Sequence, residues 1–180
     1  MYGLVNRAMQ NLVQERFGEE AWNRIRENAG VDIEVFSSNE KYDDKITYSL
    51  VSSASLVLNL PVDVLLVEFG KYWVTKTAVS SYGPLMSNTG SSVREFLINL
   101  PHLHNHVKMI FPDLRPPTFQ VSNLEETSLW LHYRTFRVGL GKFVEGLVLG
   151  LGELYSTSVK VRQIERSLTG VDHEVYLVEW

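Results

Sequence analysis

The hydrophobic period of this chain changes in its last third, and that change bounds the fold. Through Ile110 apolar residues recur at three- and four-residue spacing, the mark of a helix with one buried stripe. Beyond Pro112, Pro116 and Pro117, which end helical structure, two pairs of segments read as strands around one long apolar run. The first stripe, Val5, Met9, Leu12, Val13 and Phe17, predicts a helix over Gly3–Phe17, stopped by Gly18. Glu19–Ala29 follows with Trp22, Ile25 and Ala29 inward, then an extended connector over Val31–Phe36. Asp43–Leu58 is helical in period though rich in Ser and Thr, and Pro61 opens a further helix that runs towards Val79. The Gly/Ser/Asn-rich Ser80–Ser92 reads as a connector. A helix from Val93, kinked at Pro101, ends at Phe111.

In the last third, Phe119–Val121 and Leu129–Tyr133 read as one hairpin, and Ser158–Arg166 and Glu174–Trp180 as another. Between them Gly139–Tyr155 reads as a buried helix despite Gly141, Gly146, Gly150 and Gly152, which suggest close approach of another backbone or a flat ligand. The expected class is α+β: an N-terminal helical part plus an antiparallel sheet of two hairpins with a buried helix between, in a single domain over 1–180.

Composition narrows the chemistry. With no cysteine, thiolate nucleophiles, Cys-zinc sites, Fe–S clusters and covalently attached c-type haem are excluded, and the cytoplasm is the expected compartment. Seventeen Lys and Arg against twenty-one Asp and Glu give a net charge of −4, so no basic excess favours nucleic acid or an anionic membrane. No apolar stretch is long enough to span a bilayer.

Three of the five histidines stand together as His102, His104 and His106. On a strand all three would face one side and could grip a metal ion; on a helix His102 and His106 share a face and His104 points away. Three readings stay open: solvent-facing histidines, a zinc site on His102, His104 and His106, or a single axial ligand to haem, whose porphyrin supplies the other four nitrogens.

Downstream, Tyr133, Thr135 and Arg137 fall at alternate positions of an extended segment, so a phenol, a hydroxyl and a guanidinium line one side. All three donate hydrogen bonds to anions. A flat apolar ligand with two carboxylates at one end, such as haem, fits that row; an outward strand face with an incidental arginine is the plain alternative.

Here a family resemblance enters. Tyr133-x-Thr135-x-Arg137, twenty-nine residues after His104, resembles the Y-x-S-x-R signature of H-NOX domains, the haem–nitric oxide/oxygen binding sensors related to the haem domain of soluble guanylate cyclase. Met1-Tyr2-Gly3-Leu4-Val5-Asn6, Phe69-Gly70-x-Tyr72-Trp73, Asn99-Leu100-x-x-Leu103-His104, Phe111-Pro112-x-Leu114-Arg115-Pro116-Pro117 and Thr169-Gly170-x-Asp172-His173 are similar to family segments, in order, over essentially the whole chain. Thr135 replaces the usual serine, keeping the hydroxyl and adding a methyl.

The resemblance implies a haem b (protoporphyrin IX iron) sandwiched between the two parts. His104 would be its metal ligand, Tyr133, Thr135 and Arg137 would hold the propionates, and Pro117 would press on the porphyrin. Val5, Met9, Trp73, Thr77, Phe143 and Leu147 would form the distal wall. Oxygen-binding members carry a tyrosine where Phe143 stands, and phenylalanine has no hydroxyl for bound dioxygen. The implied activity is therefore a bacterial sensor of NO, binding CO as well and excluding stable O₂, and not an enzyme. Gas binding opposite His104 would loosen the iron–histidine bond and relax the helix that carries it. With no output domain in these 180 residues, the expected partner is a histidine kinase or a cyclic-di-GMP enzyme acting in trans. The alternative function is a zinc enzyme or zinc-stabilised domain on the histidine triplet.

Overall fold

The computed structural model describes residues 1–110, 114–167 and 172–180. Contacts group the chain into two compact units, Met1–Phe69 and Gly70–Trp180.

In the first unit, α1 (Gly3–Phe17) buries Met9, Leu12 and Val13, and Gly18 ends it at φ +88°, a conformation that disfavours any side chain. α2 (Glu19–Asn28) buries Trp22 and Ile25. The carboxylate of Asp43 caps α3 (Asp44–Leu58) by accepting from the Lys45 N–H at 2.9 Å. The hydroxyls of α3 find partners inside the unit: Thr47 donates to Asn6 Oδ1 at 2.7 Å, and Ser53 to the Ile25 carbonyl at 2.6 Å. Its Ser and Thr content therefore does not break the helix. Pro61 precedes α4 (Val62–Tyr72), whose Glu68 pairs with Arg16 at 2.5 Å.

In the second unit, α4 runs on into a π-helical stretch, Trp73–Ala78. The Thr75 hydroxyl donates to the Lys71 carbonyl at 2.9 Å, competing with the backbone ladder where it widens. Ser80–Ser92 is not a connector: residues Val79–Thr89 form α5. The backbone breaks at Tyr82 (φ −137°, ψ 26°), so Pro84 falls in the first turn of the restarted helix, where its missing N–H costs nothing. α6 (Val93–Ile110) carries Pro101 without ending; Phe111 and Pro112, and the Thr169-Gly170 turn, lie outside the described residues.

The sheet contains β1 (Thr118–Ser122), β2 (Ser128–Thr135), β3 (Lys160–Ser167) and β4 (Asp172–Glu179), all antiparallel, in the order β1-β2-β4-β3. Two hairpins are thus zipped together through β2 and β4, and α7 (Gly141–Leu154) lies between them in sequence. Alternation sends Leu129, Leu131, Tyr133 and Thr135 inward and leaves Trp130, His132 and Arg134 on the other face. Leu129, Leu131 and Val178 of the sheet, Phe96 and Leu97 of α6, and Val144, Val148 and Leu151 of α7 form one core. The class is α+β, helices plus a four-stranded antiparallel sheet. Among the described residues no single helix is long and apolar enough to cross a membrane.

Glycines let α7 approach its neighbour. A Cβ on Gly70 would overlap the Phe143 carbonyl and lie 2.6 Å from the Leu147 nitrogen, both backbone atoms of α7. One on Gly150 would sit 3.0 Å from Lys71 Cα. The glycine content of α7 matches a backbone-to-backbone contact.

Candidate functional site

α6 sorts the three histidines by helical phase. His102 and His106 are exposed, and His106 Nδ1 lies 2.9 Å from the His102 carbonyl. His104 turns inward and is half-buried. Among the described residues no three His, Asp or Glu side chains are placed to share a metal ion, so His102, His104 and His106 are not a zinc-chelating set. Met109, on the last turn of α6, is 72% exposed.

Burial holds the His104 imidazole well below its usual pKa, at about 4. The nearby Pro117 carbonyl pulls the other way and Lys108 adds slightly to the depression. The ring is therefore neutral at pH 7, the form that ligates metals. Its Nδ1 is buried and has no hydrogen-bond partner. A buried polar nitrogen in that condition is costly, and a ligand at the ring would relieve it. The His104 ring lies 5.4 Å from the Phe119 ring of β1, and Phe119 lies 5.3 Å from Tyr133 of β2, its cross-strand partner. α6, β1 and β2 thus bring His104, Pro117 and Tyr133 into one neighbourhood. Phe119 joins them and went unnoticed in the sequence, although its pairing with Tyr133 follows from the hairpin.

Tyr133 and Thr135, 2% and 4% exposed, share the inner face of β2. Arg137 lies past the end of the strand. Its backbone N–H donates to Thr135 Oγ1 at 3.0 Å, and its Nη1 donates to the Arg115 carbonyl at 3.0 Å. The guanidinium also stacks 4.4 Å over the exposed Phe136 ring. The row is therefore two inward strand residues and a following arginine, whose backbone is tied to the Thr135 hydroxyl.

On α7, Phe143 and Leu147 stand one turn apart and half-buried. The Phe143 ring meets Trp73 edge to face, with centroids 6.4 Å apart and planes at 74°. Thr77, one turn after Trp73 in the π-helical stretch, is buried. Val5 and Met9 belong to the first unit, where Val5 is half-buried and Met9 packs into the core beside Leu12 and Val13.

These residues fit a haem by their donor chemistry: one half-buried neutral imidazole whose buried Nδ1 makes no hydrogen bond, a buried phenol and hydroxyl with an arginine beside them, and apolar aromatic walls.

Comparison with known proteins gives the same direction. Residues 2–163 match the family model HNOB, described as Haem-NO-binding, which spans most of both units. Among curated relatives, soluble guanylate cyclase gcy-31 of Caenorhabditis elegans is 26% identical over 178 residues, 98% of this chain and 25% of that protein. Soluble guanylate cyclase gcy-37 of the same organism is 30% identical over 188 residues, 99% of this chain and 27% of that protein. The chain thus spans about a quarter of the length of these relatives. Among solved structures, an H-NOX protein from S. oneidensis in the Fe(II)NO ligation state is 19% identical with a TM-score of 0.88, covering 99% of this chain and 98% of that one. An unliganded Fe(II) H-NOX protein mutant from K. algicida is 23% identical with a TM-score of 0.86, covering 100% and 97%. At such identities these likenesses establish the fold. The chain belongs to the Haem-NO-binding family, haem-binding gas-sensor domains that are not themselves catalytic.

Proposed function

We propose that this chain is a bacterial, cytoplasmic NO sensor that holds haem b through His104, binds NO and CO, excludes stable O₂, and signals to a partner in trans. The observation that carries the reading is His104 itself: turned inward beside the Pro117 carbonyl, neutral, and with a buried Nδ1 that makes no well-formed hydrogen bond. His104 would hold the haem, which would supply a ferrous iron able to bind a diatomic gas.

The chain's residues do the rest. His104 offers a neutral nitrogen without first losing a proton. Tyr133, Thr135 and Arg137 provide O–H and N–H donors for two carboxylates, groups that cannot be buried unpaired. Pro117, half-buried near His104, supplies a rigid apolar surface. Trp73, Thr77, Phe143 and Leu147 would wall the gas side, and Phe143 brings no hydroxyl there. Pro101 has no N–H to give the Leu97 carbonyl, so α6 is weakened just before His104. The last turns of α6 can then shift with His104, and a histidine kinase or cyclic-di-GMP enzyme that favours one position reads the shift as differential affinity.

The test is an absorption spectrum of purified protein, reduced with dithionite, before and after NO. An intense Soret band that moves with NO, and that is lost or displaced in His104→Gly, is expected. No Soret band even after hemin is added overturns the reading, as does a persistent oxy spectrum in air for the exclusion of O₂.

A further inference from the structure

α7 begins without a cap of its own. Leu140 precedes it and makes no side-chain hydrogen bond to it, and the first turn contains no acidic residue. The leading N–H groups of a helix need acceptors, and a negative charge there is stabilised by the helix dipole.

The sheet supplies a carboxylate at that point. Glu174 faces inward from β4 at 2% exposure, the one carboxylate among the buried described residues. A Cβ on Gly141, the first residue of α7, would overlap Glu174 Oε2 and come within 2.6 Å of the Tyr176 hydroxyl. The carboxylate is therefore seated against the start of the helix, in space that only glycine leaves. Tyr176 donates its hydroxyl proton to Glu174. Burial, the Glu174 hydrogen bond and the Glu174 charge all raise the Tyr176 pKa, so the phenol stays a donor. Tyr133 stands directly opposite Glu174 in the β2–β4 register. A buried carboxylate is tolerated only when paired and hydrogen-bonded, and this one has a donor from its own strand and a helix start beside it.

We propose that Glu174 is a positioning residue: its carboxylate caps α7 from the sheet and fixes where Phe143, two residues into the helix, stands against Trp73. This rests on the haem reading for its functional consequence, since there Phe143 faces the gas.

The experiment compares native protein, Glu174→Gln, Glu174→Ala and Leu151→Ala, the last a core truncation at the far end of α7. Hydrogen exchange of the α7 first-turn amides reads the cap with or without haem. The C–O stretch and CO release rate of the ferrous carbonyl form read Phe143. Glu174→Gln keeps shape and removes charge, so it should fold and take up haem. First-turn exchange should quicken by about tenfold in Glu174→Gln, the scale of a lost cap. Its C–O stretch should shift and its CO release rate change, with a larger effect in Glu174→Ala. Leu151→Ala should lower thermal stability and leave the C–O stretch unmoved. First-turn exchange or a C–O stretch unchanged in Glu174→Gln overturns the proposal, whether or not Glu174→Ala folds. A native protein without a Soret band defeats the haem reading alone, and first-turn exchange then decides whether Glu174 caps α7.

Discussion

At the scale of single residues, the identity of a side chain matters less than which face it occupies. His104 stands two residues from both His102 and His106, about 200° around the helix, and only His104 is turned inward with a buried Nδ1 that makes no hydrogen bond. In the proposed function Phe143 bears on gas choice through an absent atom. Its ring is already edge-on to Trp73 and half-buried, so a para hydroxyl would add a donor in a low-dielectric setting, where it is strongest. Phe143→Tyr is expected to give the ferrous protein an oxy spectrum in air that the native protein lacks, and to slow O₂ release relative to Phe143→Leu. An air spectrum identical to native would remove Phe143 from the gas-facing wall. The sequence pointed to His104, Pro117 and Tyr133, which the structure brings into one neighbourhood, because motif spacing survives without coordinates. It did not reveal Phe119 or Glu174. Phe119 reads as one more apolar strand residue, and the role of Glu174 exists only once β4 is laid against the start of α7.

At the scale of elements, α7 shows how composition and packing decide together. Four glycines weaken a helix in isolation, yet here they pay for themselves by contact: Gly150 meets the backbone of Lys71, and Gly70 on the partner helix meets Phe143 and Leu147. Gly70→Ala must push two backbones apart and should cost about 1–3 kcal/mol, read as a lowered urea midpoint. Gly83→Ala on α5 meets open space and should leave stability equal or raise it by up to about 1 kcal/mol. Equal effects from both substitutions would mean that Gly70 does not set the spacing. The same reasoning explains what periodicity missed. Strand pairs and helix stripes were readable because burial imposes a period on the sequence. α5 was not, since Ser, Gly and Pro signal a loop until the break at Tyr82 turns Pro84 into a helix-starting residue. The π-helical stretch hid as well, because Trp73 and Thr77 share a face under either winding.

At the scale of the whole molecule, acid should weaken the fold through the outer face of the sheet. His132 lies there with Ser122 Oγ at 2.6 Å from its Nε2 and His173 Nε2 at 3.3 Å from its Nδ1; the two imidazoles stack at 5.6 Å. Partial burial, then Arg134, then His173 disfavour its charged form, and Glu165 opposes them weakly, so its pKa is depressed. Below the ordinary histidine value of about 6.5 the unfolded chain takes up a proton that the folded chain resists. The stability contributed by neutral His132 is therefore present above that pH and is lost as pH falls towards the folded pKa. Measured as unfolding free energy between about pH 7 and about pH 5, the native protein should lose stability faster than His132→Gln. The remaining titratable groups are common to both proteins and cancel to first order in the difference. Glutamine can still hydrogen-bond Ser122, so a smaller slope in the variant would report the charge and not the lost contact. Parallel slopes would show that the folded chain takes up the His132 proton without cost, leaving acid sensitivity to other groups.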